Sequence, residues 1–113
     1  MGIIGDKMSK ECALIYWKNH DEEFFRWDEA IAFMRGRWPN GSIFCADKQH
    51  TTLGDGSGDM LPAIRYVYEI YSAKSKHVAD AVFIRVTTPG DMPREDLSGN
   101  IRDLKVQYSV SYS

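Results

Sequence analysis

Histidine and cysteine side chains bind metals and act in nucleophilic catalysis, and this sequence has three histidines and two cysteines. Cys45 and His50 are close in sequence, but the pair lacks the further ligands that a zinc site needs. A reactive thiolate also requires an exposed and electropositive setting. Cys45 instead follows the apolar residues Ile43 and Phe44, and Asp47 comes soon after it. The sequence therefore predicts no metal site and no Cys–His catalytic pair.

A glycine- and aspartate-rich stretch, residues 53–59, has the composition of loops that bind anions or calcium. Phosphate loops of this type lead into a helix, whereas here a strand-like run begins at Met60. A calcium loop needs a glycine where Met60 stands and an acidic residue where Tyr66 stands. We therefore expect residues 47–60 to form a mobile connector, with contact to a ligand or partner as the alternative.

Acid–base catalysis requires carboxyl groups that are removed from water, and none is evident in the sequence. The adjacent acids Glu22 and Glu23, for example, lie in a polar run. The patterns of Walker loops, serine hydrolases and zinc proteases are missing as well. We therefore expect a protein without catalytic residues and without a cofactor. A hydrolase or transferase site assembled from His50, Asp47 and Asp55 is the least favoured alternative.

Aromatic side chains are more numerous than the core of one helix on one sheet needs, with three Trp, six Tyr and five Phe. Tyr, Trp and Arg are the residues most favoured at protein interfaces, and aromatic rings beside arginines can also stack on nucleobases. We expect part of this surplus to lie on an exposed face of the sheet. The residues predicted to contact a partner or ligand are Arg65, Tyr66, Tyr68, Tyr71, Arg85, Asp55 and His50.

The size and charge of the chain limit the class of protein. Its 113 residues, 43% of them apolar, suit a single domain with one core. A formal net charge of −2 argues against long nucleic acids, whose phosphates favour basic proteins, but not against a nucleotide-sized ligand. No apolar run approaches the about 20 residues of a membrane span, and the first residues do not resemble a signal peptide. We therefore expect a cytoplasmic protein with reduced thiols and no membrane partner.

The first part of the chain is ambiguous between strand and helix. Residues 1–10 resemble a loose arm, and residues 12–17 form a short apolar run that is typical of a strand. Residues 23–27 fit either a second strand, paired with the first, or the start of a helix. Two adjacent phenylalanines favour the hairpin, because they are awkward on one helical stripe. In both interpretations the chain is helical from Asp28 to about Arg35. In the hairpin interpretation Asp28 is the N-cap, and in the other the helix begins near Asp21.

The second part of the chain is predicted to be four strands. Residues 42–46 form the first of them, and residues 62–74 and 78–88 alternate between faces over longer runs. Residues 104–112 alternate most regularly, which indicates a half-buried antiparallel strand. Long loops are predicted at 47–61 and at 89–103.

These elements predict a single α+β domain over residues 1–113. Its antiparallel sheet has about five to six strands in the order β(β)αβ-βββ, ends in a C-terminal meander and carries one main helix on a face. The general shape resembles that of many small proteins carried by phages and mobile elements. No motif carries this likeness to a particular family, so it transfers no functional residue.

Small size, missing catalytic patterns and the aromatic surplus favour a non-enzymatic binding protein. Such a protein would block or sequester a partner, as inhibitor, immunity and phage anti-defence proteins do. We expect a protein partner, and a homodimer or larger homo-oligomer built on the C-terminal strand. The alternative is a protein that binds a nucleotide-like ligand through the glycine- and aspartate-rich loop, arginine and aromatic residues.

Overall fold

The computed structural model describes residues 11–54, 58–87 and 97–104, which form one antiparallel sheet with one α-helix. The strands are β1, Glu11–Trp17; β2, His20–Phe24; β3, Ser42–Gly54; β4, Met60–Tyr71; β5, His77–Val86; and β6, Gly99–Asn100. Helix α1, Trp27–Arg37, lies between β2 and β3, and a short 3-10 helix, Ile101–Asp103, follows β6. Across the sheet the strands lie in the order β2-β1-β5-β4-β3-β6. The predicted small α+β class with an antiparallel sheet is confirmed.

Pairing of β1 with β2 resolves the ambiguity at residues 23–27 in favour of a hairpin. The turn is tight, because Trp17 pairs with His20 and Lys18 between them has a positive φ of 55°. The second strand ends at Phe24. It therefore stops short of Trp27, which begins the helix instead.

The N-terminus of α1 is capped from a neighbouring strand and not by the predicted Asp28. The N-cap residue is Arg26, whose side chain makes no capping hydrogen bond, and Asp28 lies in the first turn. The backbone N–H of Trp27 donates over 2.8 Å to Oε2 of Glu11, a buried residue of β1. The prediction of Asp28 as the cap was wrong because the acceptor comes from a residue distant in sequence.

The C-terminus of α1 lies slightly beyond the predicted Arg35. The helix ends at Arg37, and the backbone N–H of Trp38 donates to the carbonyl oxygen of Met34 over 2.7 Å. Pro39 follows and has no N–H with which to continue the ladder. Two arginines lie in the last turn, where positive charge compensates the negative end of the helix dipole.

The core lies between α1 and one face of the sheet, which we call the inner face. Alternate strand residues point to this face, and Ile15 on β1, Tyr68 on β4 and Phe83 on β5 are fully buried. They belong to one apolar cluster with Ile31 and Met34 of α1. Burial of this surface is the main stabilising contribution to the fold. The opposite face of the sheet is called the outer face.

The long loop predicted at 47–61 is instead most of a β-hairpin. Strand β3 continues to Gly54 and β4 begins at Met60, so pairing extends to the end of both strands. The register shifts between Cys45 and Asp47, and the ladder resumes beyond that irregularity. The sequence pattern failed here because this part of the hairpin is largely exposed. Backbone hydrogen bonds stabilise this part of the hairpin. It has no apolar face, so its sequence lacks the alternation of apolar and polar residues that predicts a strand.

The described part of the predicted loop 89–103 is packed on the core. The backbone N–H of Leu97 donates to the Tyr68 hydroxyl over 3.2 Å, and Ile101 is fully buried. A two-residue strand and a 3-10 helix lie in this segment. The strand predicted at 104–112 lies outside the described residues from residue 105 onward.

Replacing Glu11 by alanine is expected to lower the free energy of unfolding by about 1–3 kcal/mol, because the buried N–H of Trp27 loses its acceptor. Glu11→Gln keeps a side-chain oxygen and is expected to cost clearly less. Urea unfolding followed by tryptophan fluorescence measures both variants. Equal losses in the two variants would contradict the assignment of Glu11 as the acceptor that caps α1.

Candidate partner-binding face

The outer face carries exposed aromatic side chains. Tyr16 on β1 and Phe44 on β3 are 39% and 44% exposed, and Phe25, which directly follows β2, is 77% exposed. Large apolar side chains are mostly buried in monomeric proteins, and a group of exposed ones marks a binding site more often than isolated ones do. The outer face is therefore the candidate functional site.

Strand pairing places four outer-face side chains in one row across the sheet, which we call the central row. Tyr16 pairs with Asp80 on β5, Asp80 pairs with Glu69 on β4, and Glu69 pairs with Phe44. Adjacent strands lie about 4.8 Å apart. Two carboxylates are therefore direct neighbours, and an aromatic residue follows on either side. Like charges that face each other across a strand pair destabilise a sheet.

Each carboxylate of the central row accepts a hydrogen bond from a neighbouring side chain. The Tyr71 hydroxyl donates to Oε1 of Glu69 over 2.7 Å, and Nε2 of His77 lies 2.8 Å from Oδ1 of Asp80. The hydrogen bond to Glu69 raises the pKa of Tyr71, because the neutral phenol is the donor. The hydrogen bond to Asp80 raises the pKa of His77, because the carboxylate favours the imidazolium form.

Two rings, those of Tyr71 and His77, extend the aromatic surface from Phe44 beside the central row. Phe44 stacks on Tyr71 with a centroid distance of 5.6 Å and an interplanar angle of 16°. Tyr71 in turn contacts His77 at 5.3 Å. Ring contacts of this kind restrict side-chain motion, so these side chains are partly ordered on the outer face.

An apolar depression of about 330 Å³ lies on the outer face beside the central row. Burial raises the pKa of the Cys12 thiol in its lining, and the neighbouring Glu23 and Glu11 act in the same direction. Cys12 therefore contributes a protonated, weakly polar group to this surface. The side chains that line the depression include Cys12, Leu14, Val82, Ile84 and Phe25.

Arg65, one of the residues predicted to bind a partner, lies on the outer face but is engaged by polar side chains of β3. Its Nη1 donates to Oε1 of Gln49 over 3.0 Å. Nε2 of Gln49 donates to Oδ2 of Asp47 over 2.8 Å. Arg65, Gln49 and Asp47 thus form a chain of hydrogen bonds on the outer face.

Tyr66, Tyr68 and Arg85 lie on the inner face, which corrects the expectation that they are exposed for binding. Tyr66 is 4% exposed, Tyr68 is 0% exposed and Arg85 is 7% exposed. Tyr66 packs edge-on against Trp27 at a centroid distance of 5.6 Å. The reason is the alternation of β4, which directs its even-numbered residues toward α1. Of the three predicted tyrosines, Tyr71 lies on the outer face.

The structure does not bring together His50 and Asp47, two of the three residues of the hydrolase or transferase alternative. His50 pairs with Ile64, an inner-face residue, whereas Asp47 pairs with Val67 on the outer face. Asp55 lies outside the described residues. Within residues 11–54, 58–87 and 97–104, no group of three or more His, Cys, Asp or Glu is arranged to hold a metal ion.

Sequence reasoning missed Tyr16, Phe44, Glu69 and Asp80 as candidate site residues. All four lie in segments that were predicted as strands, so their place in the fold was foreseeable. Their common row was not, because it depends on the register of three strand pairs. The available signal was the position of two bulky rings, Tyr16 and Phe44, each directly after a residue that the alternation assigns to the buried face, Ile15 and Ile43.

Comparison with known proteins identifies no relative: no family model matches the chain, and no curated protein or solved structure is similar to it. In the described ranges, the helix is too short and too polar to cross a membrane. Any assignment of function therefore depends on the geometry and charge of the outer face.

The contact between His77 and Asp80 predicts that the stability of the fold depends on pH. Because the pKa of folded His77 is raised above the ordinary value of 6.5, its stabilising contribution is present below that value and is lost as the pH rises through the folded pKa. An NMR titration of the His77 ring is expected to give a pKa above 6.5 that falls in Asp80→Asn. A His77 titration unchanged by Asp80→Asn would contradict this contact.

Proposed function

We propose that this protein is a non-catalytic binding protein that blocks or sequesters a partner protein through its outer face. One observation supports the proposal most: Tyr16, Phe25 and Phe44, large side chains that proteins usually bury, are exposed on or beside the same face. An inhibitor, immunity or anti-defence protein acts in this way.

The shape of the face favours a protein partner over a small ligand. A row that crosses four strands is about 15 Å long, since neighbouring strands are about 4.8 Å apart. Protein interfaces extend over surfaces of at least this length and use exposed aromatic side chains such as Tyr16 and Phe44 as anchors. The apolar depression beside the row offers a place for one apolar side chain of the partner.

The alternative, a nucleotide-like ligand, has less support on this face. Phosphate groups need cationic donors, and Arg65 already donates to Gln49. Glu69 and Asp80 on the same face would repel phosphate. Tyr66 and Tyr68, which were predicted to contact a partner or ligand, lie in the core.

The partner that we propose is a different protein and not a second copy bound face to face. Two outer faces brought together would place the Glu69 and Asp80 carboxylates of both copies near each other. Such like-charge contacts cost free energy and act against self-association through this surface. A homo-oligomer would therefore use another part of the protein.

The double variant Tyr16→Ala/Phe44→Ala is expected to bind the partner about 30-fold more weakly. This factor corresponds to a loss of about 2 kcal/mol of binding free energy, which is typical when aromatic anchors of an interface are removed. Gentle purification from the natural host, followed by native mass spectrometry, identifies what the wild-type protein carries. Isothermal titration with the purified partner then compares the variants. The matched control is Glu29→Ala/Arg35→Ala, which changes two exposed residues of α1.

A protein partner that binds wild type and control alike, and the double variant weakly, supports the proposal. A wild-type protein that carries a small molecule of a few hundred daltons and no protein would contradict it. So would a partner whose affinity is the same for all three proteins.

A further inference from the structure

Each carboxylate of the central row uses one of its two oxygens in a hydrogen bond within the described part of the chain. Tyr71 donates to Oε1 of Glu69, and His77 contacts Oδ1 of Asp80. Oε2 of Glu69 and Oδ2 of Asp80 accept no hydrogen bond from the described part of the chain. Since the two residues are direct cross-strand neighbours, an added cation near both would relieve their repulsion.

The charge of the outer face on the described strands favours a cationic partner. On the described strands, this face has Arg65 as its single arginine or lysine, and Gln49 engages that guanidinium. Carboxylates of one sign that line a surface attract and orient a partner of the opposite charge. The outer-face carboxylates of the described strands are those of Asp21, Glu23, Asp47, Glu69 and Asp80.

The aromatic residues at the ends of the central row distinguish between the two basic side chains. Tyr16 and Phe44 flank the carboxylates and are partly exposed. A guanidinium group is planar, so it can stack on a ring while its N–H groups pair with a carboxylate. A lysine ammonium is a compact and strongly hydrated charge that lacks this combination.

We infer that the partner presents arginine side chains to the central row, with guanidinium groups paired to Glu69 and Asp80 and packed against Tyr16 and Phe44. This inference rests on the proposed function, because it names the chemistry of the partner at the same face. The occupant is a basic segment of a protein. A second copy of this chain is excluded as the occupant by the repulsion between two acidic faces.

A fluorescent peptide in which arginine alternates with serine is the probe for this inference. Its matched control contains citrulline, which has the shape of arginine without its charge. Fluorescence anisotropy measures the binding of both peptides to the full chain. The arginine peptide is expected to bind at least about tenfold more tightly, as charge-assisted hydrogen bonds are stronger than neutral ones.

The variant Glu69→Gln/Asp80→Asn tests the named carboxylates. It is expected to weaken binding of the arginine peptide at least about tenfold, because both charge-assisted pairs are lost. Glu29→Gln/Asp103→Asn changes the net charge equally at exposed residues of other elements, and it is expected to change affinity less than about twofold. Thermal unfolding controls for the fold, and the midpoint of the first variant is expected to change little, because removal of the like-charge pair offsets the weaker contact of residue 80 with His77.

Equal binding of the arginine and citrulline peptides would overturn the inference, as would equal losses in the two double variants. These results would leave the proposed function intact if Tyr16→Ala/Phe44→Ala still weakens binding of the natural partner. A natural partner that is insensitive to Tyr16→Ala/Phe44→Ala would instead remove the proposed function, whatever the peptide shows.

Discussion

Packing of one helix on one face of the sheet determines what each strand residue can do. Because successive residues of a strand point to opposite faces, α1 divides every strand into a buried set and an outward set. Ile15 and Phe83 belong to the buried set, and Tyr16 and Asp80 belong to the outward set. The same alternation that builds the core therefore also builds the candidate site.

The position of α1 is linked to β1 by a buried polar contact. Glu11 accepts the first N–H of the helix, and Trp27 at that position also donates its indole N–H to the carbonyl oxygen of Ile84 on β5. These two hydrogen bonds connect the helix start to two neighbouring strands. The helix start is thereby held at a fixed place on the sheet, and with it the assignment of the inner and outer faces.

Sequence patterns predicted the class of the fold and the position of most elements. The helix and the long strands β4 and β5 were foreseen because their apolar residues repeat with a clear period. The hairpin of β1 and β2 was favoured on weaker grounds, and the predicted second strand, residues 23–27, overlaps β2 only at Glu23 and Phe24. The paired part of β3 beyond Asp47 was not foreseen, because exposed backbone pairing leaves no such pattern. Asp28 was predicted as the helix cap because sequence patterns identify only acceptors close in sequence, whereas the observed acceptor, Glu11, lies on β1.

The candidate site was predicted less well than the fold. Alternation showed that Tyr66 and Tyr68 share one face of β4 and Tyr71 the other, but it could not show which face the helix covers. The face that the helix covers is determined by packing across the sheet. As a result Tyr66 and Tyr68 are core residues, and Tyr71 lies on the outer face. The pairing of Glu69 with Asp80 likewise needs the register, which local sequence does not contain.

Methyl NMR of the protein bound to its natural partner tests the central claim most directly, since methyl groups distinguish the two faces of one strand. Saturation transferred from the partner is expected to reach Leu14, Val67 and Val82 on the outer face. The inner-face methyl groups of Ile15 and Ile70 should receive none. Transfer that spares the outer-face methyl groups and reaches the exposed side of α1 or the β3–β4 hairpin would contradict the account.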